Sequence, residues 1–511
     1  MYRILSSSSD TYITNKIINS SFRATDANVG AAGTLDLFKL YDESLISGTD
    51  APTEISRILI KFDLSHLKAL TGTTLDIANP SFSCTLKLHD VYGGQTTPSN
   101  FNVIVFPLSR SFDEGIGRDV VTFEDIDSCN FQTASISSGK AVKWYLSGAN
   151  KDGLLGSDDI DIISSGNLSD GNGTVNLWKS QAFNTGDEDL SVDVTTIVSA
   201  TLAGQIPDHG FRLSFSGSEE TDHFTRFVKR FASRHSTNTR KRPKLIVRFN
   251  DAIQDHHEIF FFDVTGSLFL NNFHRGSRFD ILSGVSATKI TGTDCLLVTM
   301  TSGSTGSSTF FSRTFSGSQH KIGNNFMSGV YSSTFSISEF ESGTLRNEIV
   351  NAGSATFTEI WSSLDKTVGY FTGSIVVNTV KRSAFINSTC NPFINITNLK
   401  SSYRRSQKVK FRVFVEDIND DLVLVKKPIK SKSKTFTKMH YRIKDFDSGD
   451  IIIPFDTEKG GTLLSTDSEG MYFEFYMDSL QPGRTYGFDF FISDSGVDQI
   501  FSNVATKFKV E

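Results

Sequence analysis

Acidic clusters and one histidine pair are the residues here that could do chemistry. Asp255, His256, His257 and Glu258 stand in a row, and imidazole beside carboxylate is a donor set that zinc uses. They fall in a polar stretch, DAIQDHHE (251–258), which reads as a solvated turn linking two β regions. Asp152, Asp158, Asp159 and Asp161, in NKDGLLGSDDID, offer hard oxygens near a glycine turn, as calcium prefers, but their spacing does not follow an EF-hand loop. Glu219 with Glu220, and Asp187–Glu188–Asp189, carry the groups of a glycosidase, yet nothing in the pattern sets two of them across a cleft. The nucleophile elbow GxSxG and the metalloprotease HExxH are absent from the sequence, and Gly139-Lys140 lacks the upstream glycines of a phosphate loop. The sequence predicts no enzyme: no catalytic residue, no cofactor and no metal.

A second chemical feature is positive charge. Between Phe211 and Asn250 lie Arg226, Lys229, Arg230, Arg234, Arg240, Lys241, Arg242 and Lys244. They read as a basic loop between two strands, Phe211–Ser216 and Lys244–Phe249, each alternating apolar and polar residues with the period of two of a half-buried strand. Such a loop binds a polyanion, meets a neighbouring subunit, or is solvated. The excess of arginine over lysine favours bidentate pairing with carboxylates of a neighbour. The expected inter-subunit contact is therefore Arg226, Lys229, Arg230, Arg234, Arg240 and Arg242. A net charge of −6 argues against a dedicated nucleic-acid binder.

The elements that carry these groups are strands. The chain has 44 Phe against 3 Trp and 6 Met, and is rich in Ser, Thr and Gly, a composition that favours sheet and turn. Its 511 residues suffice for two to four domains. Residues 1–250 read as a jelly-roll-like β-sandwich, with strong strands at Ser56–Leu67, Phe82–Tyr92 and Phe101–Phe112 and one short helix at Val194–Leu202. Residues 251–385 read as a second β-sandwich. Residues 386–511 hold seven short strand candidates, the pattern of an immunoglobulin-like sandwich. In this last region Lys400–Lys444 carries 14 basic and 4 acidic residues, a formal +10, while Asp445–Glu511 carries 4 basic and 13 acidic, a formal −9. Two such blocks suit solvated strand faces, or a module docking between oppositely charged neighbours.

Cys84, Cys129, Cys295 and Cys390 are widely spaced and form no CxxC pair, so they read as free thiols of a protein made in a reducing cytoplasm. The start, MYRILSSSSDTYI, has no apolar run of signal-peptide length, and no stretch has the ~18 apolar residues of a membrane span.

Several fragments resemble known families. DTYI (10–13), RILIKFDLSHL (57–67), DVTTIV (193–198), HGFRLSF (209–215), FASRHS (231–236) and KRPKLIV (241–247) occur in the order found in DNRLRE-type β-sandwich domains, which look like carbohydrate-binding modules; Ser233-Arg234-His235 departs from the SRE-like strand of that family. QAFNTGDEDLSVDVTTIVSATLAG, FVKRFASRHS, GSLFLNN and IIIPFDTEKGGTLLSTDSEGMYFEFYMDSLQPGRTYGFDFFI are similar to virion structural proteins of contractile-tailed phages, especially those of marine cyanobacteria. The second resemblance implies a non-enzymatic virion component. It would assemble in the host cytoplasm with other virion proteins and copies of itself, in the tail or baseplate first, the neck or head next. The first resemblance implies a module recognising a host-surface glycan, with Tyr92, Trp144, Tyr145 and Trp178 as the stacking aromatics.

Overall fold

The computed structural model describes residues 1–19, 21–41, 53–91, 99–121, 128–168, 173–257, 260–284, 287–303, 309–379, 391–418, 433–494 and 496–511. Strands dominate throughout, and the chain is all-β as its composition implies. Among the described residues no helix is long and apolar enough to cross a membrane. Two compact units divide the chain: a first of Arg3–Ala69 with Phe82–Arg248, and a second of Met1–Tyr2, Leu70–Ser81 and Phe249–Glu511.

In the first unit the alternating segments form strands. Phe211–Phe215 lies between Thr53–Phe62 and Phe101–Pro107, with Leu213 opposite Ile58 on one side and Val105 on the other. The hydrogen-bonded order is Lys179–Phe183, Phe101–Pro107, Phe211–Phe215, Thr53–Phe62, Tyr2–Thr14, Lys244–Arg248, Ser83–Leu88 and Leu190–Asp193. Neighbours in this order are mostly distant in sequence, the connectivity of a jelly roll. The phenylalanines fill the core: the Phe101 and Phe183 rings stack at 4.9 Å, and Phe215 meets Phe101 edge-on at 5.4 Å. The helix is present as Thr195–Leu202, burying Ile197, Val198, Ala200 and Leu202.

Thr53–Phe62 is buried on both faces. Ile58 and Ile60 face one core, while Leu59 joins Ile13, Leu108, Phe112, Trp144 and Ile162 in another. Part of the long connection after Phe101–Pro107 thus covers what alternation alone would leave as an outer face. It is tied down by Asn28. That side chain donates to the carbonyls of Glu114 and Cys129 at 2.8 and 2.7 Å, and accepts from the amides of Gly30 and Gly117 at 3.1 and 2.9 Å.

The second unit holds two sheet systems. Seven strands are ordered Phe260–Phe261, Gly369–Asn378, Ser354–Ser362, Leu296–Gly303, Thr309–Ile322, Asn325–Phe335 and Gly266–Asn271. The outermost two are consecutive in sequence, joined by residues 262–265, so the sheet rolls until its edges approach. Phe260, Phe335, Phe357 and Trp361 share the enclosed core. A helix absent from the sequence reading, Gly343–Ala352, adds Leu345 and Ile349 to it and is capped by the Ser342 hydroxyl accepting from the Leu345 amide at 3.1 Å.

The C-terminal region packs two sheets. One is ordered Pro392–Ile396, Lys408–Asp417, Gly470–Tyr476 and Ser465–Asp467; the other Ser402–Tyr403, Val497–Val510, Thr485–Asp494, Met439–Asp445 and Ile451–Ile453. Aromatic contacts bridge them, Tyr441 stacking on Phe473 at 4.3 Å and Phe411 meeting Phe488 at 5.1 Å. Tyr486, at the start of its strand, donates its hydroxyl to the Gln481 carbonyl at 2.9 Å, the tyrosine corner of immunoglobulin-like sandwiches. Part of the segregated charge is paired inside this fold. Arg412 and Lys410 meet Asp467 at 2.5 and 3.3 Å, and Arg442 and Lys444 meet buried Asp489 at 2.7 and 3.1 Å.

Candidate docking surface

The basic stretch is a loop only in its second half, from Ser233 to Pro243. Arg226–Ala232 is a strand paired with Thr34–Tyr41, Phe231 opposite Leu35. The sequence hid it because Lys229, which points inward with Phe231, interrupts the apolar alternation. A register shift between Arg226 and Lys229 breaks the pattern further.

Its cations serve their own unit. Lys229 is fully buried; its ammonium donates to Asp90 at 2.6 Å and to the Gly186 and Glu188 carbonyls at 2.8 Å each. It therefore cannot reach a neighbouring subunit, which corrects that expectation. Arg230 forks onto Asp36 with two bonds of 3.0 Å, and Arg226 onto Asp222 at 2.8 and 2.7 Å. Arg234 reaches Glu114 at 2.5 Å and the Ser8 carbonyl at 2.6 Å, and Arg242 holds the Ser236 carbonyl at 2.9 and 3.0 Å. Arg240 lies in a short 3-10 turn capped by Asn238. The bidentate pairing anticipated from the arginines occurs, but within the fold.

What these pairs display outward is aromatic. Phe224 and Phe227 are 69% and 56% exposed. Asp222 organises their support. It receives buried Lys39 at 2.5 Å, the Arg226 fork and the Phe224 amide at 3.1 Å. Burial pushes its carboxyl up, but the Arg226 and Lys39 bonds outweigh that and hold it well below the usual carboxylate range. Thr225 then pins the segment to the adjacent strand by exchanging bonds of 3.0 Å with the Tyr41 backbone. Phe227 lies on the strand and Phe224 two residues before it, so both solvent-facing rings sit on a fixed scaffold; beyond Thr34–Tyr41 the strand is held on its other edge by the Asp90–Phe231 bridge and the Val91 amide donating to the Arg230 carbonyl at 3.0 Å.

The acidic pairs are equally committed. Glu220 sits within an arginine pair, 2.7 Å from Arg57 and 3.8 Å from Arg212. Burial, then Arg57, lowers the Arg212 pKa to about 9. Glu219 closes a capping box with Ser216, and Glu188 accepts from the amides of Asn184, Thr185 and Gly186. Asp189 binds His89 at 2.8 Å. Asp161 accepts the amides of Tyr145, Leu146 and Lys151. None of these is arranged as a two-carboxylate cleft or a calcium loop. Among the described residues no group of three or more His, Cys, Asp or Glu is placed to hold a metal.

Of the expected glycan platform, Tyr92 lies outside the described residues. Trp144 is only 5% exposed and donates its indole N–H to the Asn130 carbonyl at 3.0 Å, so it is a core residue. The layer over Leu59 that buries it was invisible to strand periodicity. Tyr145 and Trp178 are 44% and 37% exposed, and the Arg110 guanidinium lies 3.9 Å over the Tyr145 ring. Cys84 and Cys129 are buried free thiols and Cys295 is a half-buried one; Cys390 lies outside the described residues.

Within the second unit the DAIQDHHE stretch is not a solvated turn. Asp255 is buried, and His257 Nδ1 lies 2.5 Å from its carboxylate while Nε2 lies 3.2 Å from buried Glu359. Burial disfavours the imidazolium, but the two carboxylates prevail and raise its pKa to about 10. Thr466 grips the same stretch, accepting from the Asp255 amide at 2.6 Å and donating to its carbonyl at 2.9 Å. The signal available in sequence was the apolar Ile253 beside these polar residues, which is buried.

No family model matches this sequence, and no curated protein does. Among solved structures it is similar to the tandem Ig repeats of Dlar, at 7% identity over 52% of this chain and 94% of that one, with a TM-score of 0.13. It is also similar to CfaE, the adhesive subunit of the CFA/I fimbria of enterotoxigenic Escherichia coli, at 12% identity over 52% and 90% of the two chains, with a TM-score of 0.13. At this level of likeness nothing about function transfers.

Proposed function

We propose that the chain is a non-enzymatic structural component of a tailed-phage virion, in the tail or baseplate, and that it works by docking β surfaces against neighbouring subunits. The phage assignment rests on the sequence fragments that resemble virion proteins. The observation that carries the docking mechanism is the pair Phe224 and Phe227, exposed just before and on a strand whose charges are neutralised at home. Desolvating two Phe side chains contributes roughly 1.5–3 kcal/mol each, enough to make them anchors of an interface. Mass spectrometry of gradient-purified particles tests the reading. The chain is expected among the structural proteins; its absence from particles, while present in the lysate, overturns it.

A second reading, a glycan-binding adhesin module, has Tyr145 and Trp178 as exposed rings among the described residues, while Trp144 is buried. Binding to host-surface polysaccharide that is lost with Tyr145→Ala supports it, and no binding opposes it. The two readings are compatible, because a virion protein can also contact the host.

A further inference from the structure

The second unit encloses a polar cavity of about 50 Å³ that none of the roles above uses. Its walls come from three parts of that unit: Asp251 and Ile253 of the linking stretch, Arg278 and Met327 of the rolled-sheet region, and Lys408, Tyr441, Tyr472 and Glu474 of the C-terminal sandwich. Liquid water occupies about 30 Å³ per molecule, so the space exceeds that of a single water.

The charges around it do not balance. Asp251 is matched by the Met1 amine at 2.5 Å, and Glu474 by Lys408. Arg278 also lines the cavity within electrostatic reach of Glu474, the carboxylate that Lys408 already holds, and no ion pair or hydrogen bond engages its guanidinium among the described residues. A second group is unsatisfied. Tyr441 is 1% exposed, lines the same cavity, and its hydroxyl has no hydrogen-bond partner among the described residues. A buried phenol without a partner is strongly disfavoured, and a guanidinium fork is built for paired oxygens. Ser465, also in the wall, is engaged already: its hydroxyl accepts from the Ile253 amide at 3.2 Å.

We propose that this cavity binds a small oxyanion, a phosphate or a short carboxylate, between the Arg278 guanidinium and the Tyr441 hydroxyl. The anion supplies the charge that Arg278 lacks and the acceptor that Tyr441 lacks. Because the walls come from three segments, binding also ties those segments together.

Isothermal titration of the full chain with inorganic phosphate, and separately with acetate, tests this at ionic strength held constant with chloride. One saturable site is expected for at least one anion, and whichever binds fixes the class. Arg278→Gln should abolish it, and Tyr441→Phe, which keeps the ring stacked on Phe473, should weaken it about tenfold. No saturable heat with either anion, or unchanged affinity in both variants, overturns the proposal and leaves the cavity to water. If Arg278→Gln fails to fold, the Tyr441→Phe comparison decides alone.

Discussion

The backbone amide of Arg234 donates to Asp10 Oδ2 at 2.7 Å, joining the first long strand of the chain to the basic segment 224 residues later. Asp10 is fully buried, and burial raises its pKa to about 7, against the Arg234 bond. The folded state therefore holds a proton that the unfolded state releases near pH 3.8. Stability of the first unit should fall as pH rises from about 4 to 7 and then level off, by up to about 4 kcal/mol. Urea unfolding at pH 5 and pH 8 measures this, and Asp10→Asn should flatten the difference. A wild-type midpoint that does not change between those pH values contradicts it.

Gly30 tests the knot around Asn28. A Cβ there would stand 1.8 Å from the Glu114 carbonyl oxygen. Gly30→Ala must displace the segment that carries Glu114 and with it the Glu114–Arg234 pair. A loss of about 3 kcal/mol or more is expected in chemical unfolding; a neutral substitution would show that the segment yields freely.

Trp144 and Tyr145 should behave oppositely although they are adjacent. Trp144→Ala empties a core position and should destabilise by about 3–5 kcal/mol. Tyr145→Ala, at the surface, should stay within about 0.5 kcal/mol. Thermal unfolding of the two variants separates them, and equal effects would refute the placement of Trp144 in the core.

These contrasts show where sequence was readable. Strands with clean alternation, such as Phe211–Phe215 and Lys244–Arg248, were legible because one face is core. Arg226–Ala232 was not, since a buried lysine occupies an inward position and its partner, Asp90, is 139 residues away. Trp144 was misplaced because a connection without regular periodicity forms a second layer. His257 was read as solvated because its second carboxylate, Glu359, is 102 residues distant. The pairing of the two charge blocks near the C-terminus likewise needed the register of the strands, which composition does not contain. The aromatic excess is legible as a preference for sheet, but which rings stay outside depends on a register shift and on the bonds to Asp222.

His257 makes a further pH prediction. Its folded pKa of about 10 lies above the ordinary 6.5, so its contribution is complete below pH 6.5 and is lost as pH rises through 10. Proton–nitrogen correlation spectra should show its ring as imidazolium at pH 8. His257→Leu leaves Asp255 and Glu359 buried without a cation and should destabilise the second unit by about 3–5 kcal/mol. A neutral His257 ring at pH 8 would refute the clamp.

Phe224 and Phe227 carry the central claim, that this chain docks into a particle through a patch its own charges leave apolar. The most direct measurement is a reconstruction of the purified particle at a resolution that shows aromatic side chains. The account predicts density of a neighbouring subunit packed over both rings. With Phe224→Ser and Phe227→Ser together, it predicts particles that lack the chain although its first unit remains folded. A particle in which the chain is present with both rings facing solvent, or normal incorporation of the double variant, would contradict it.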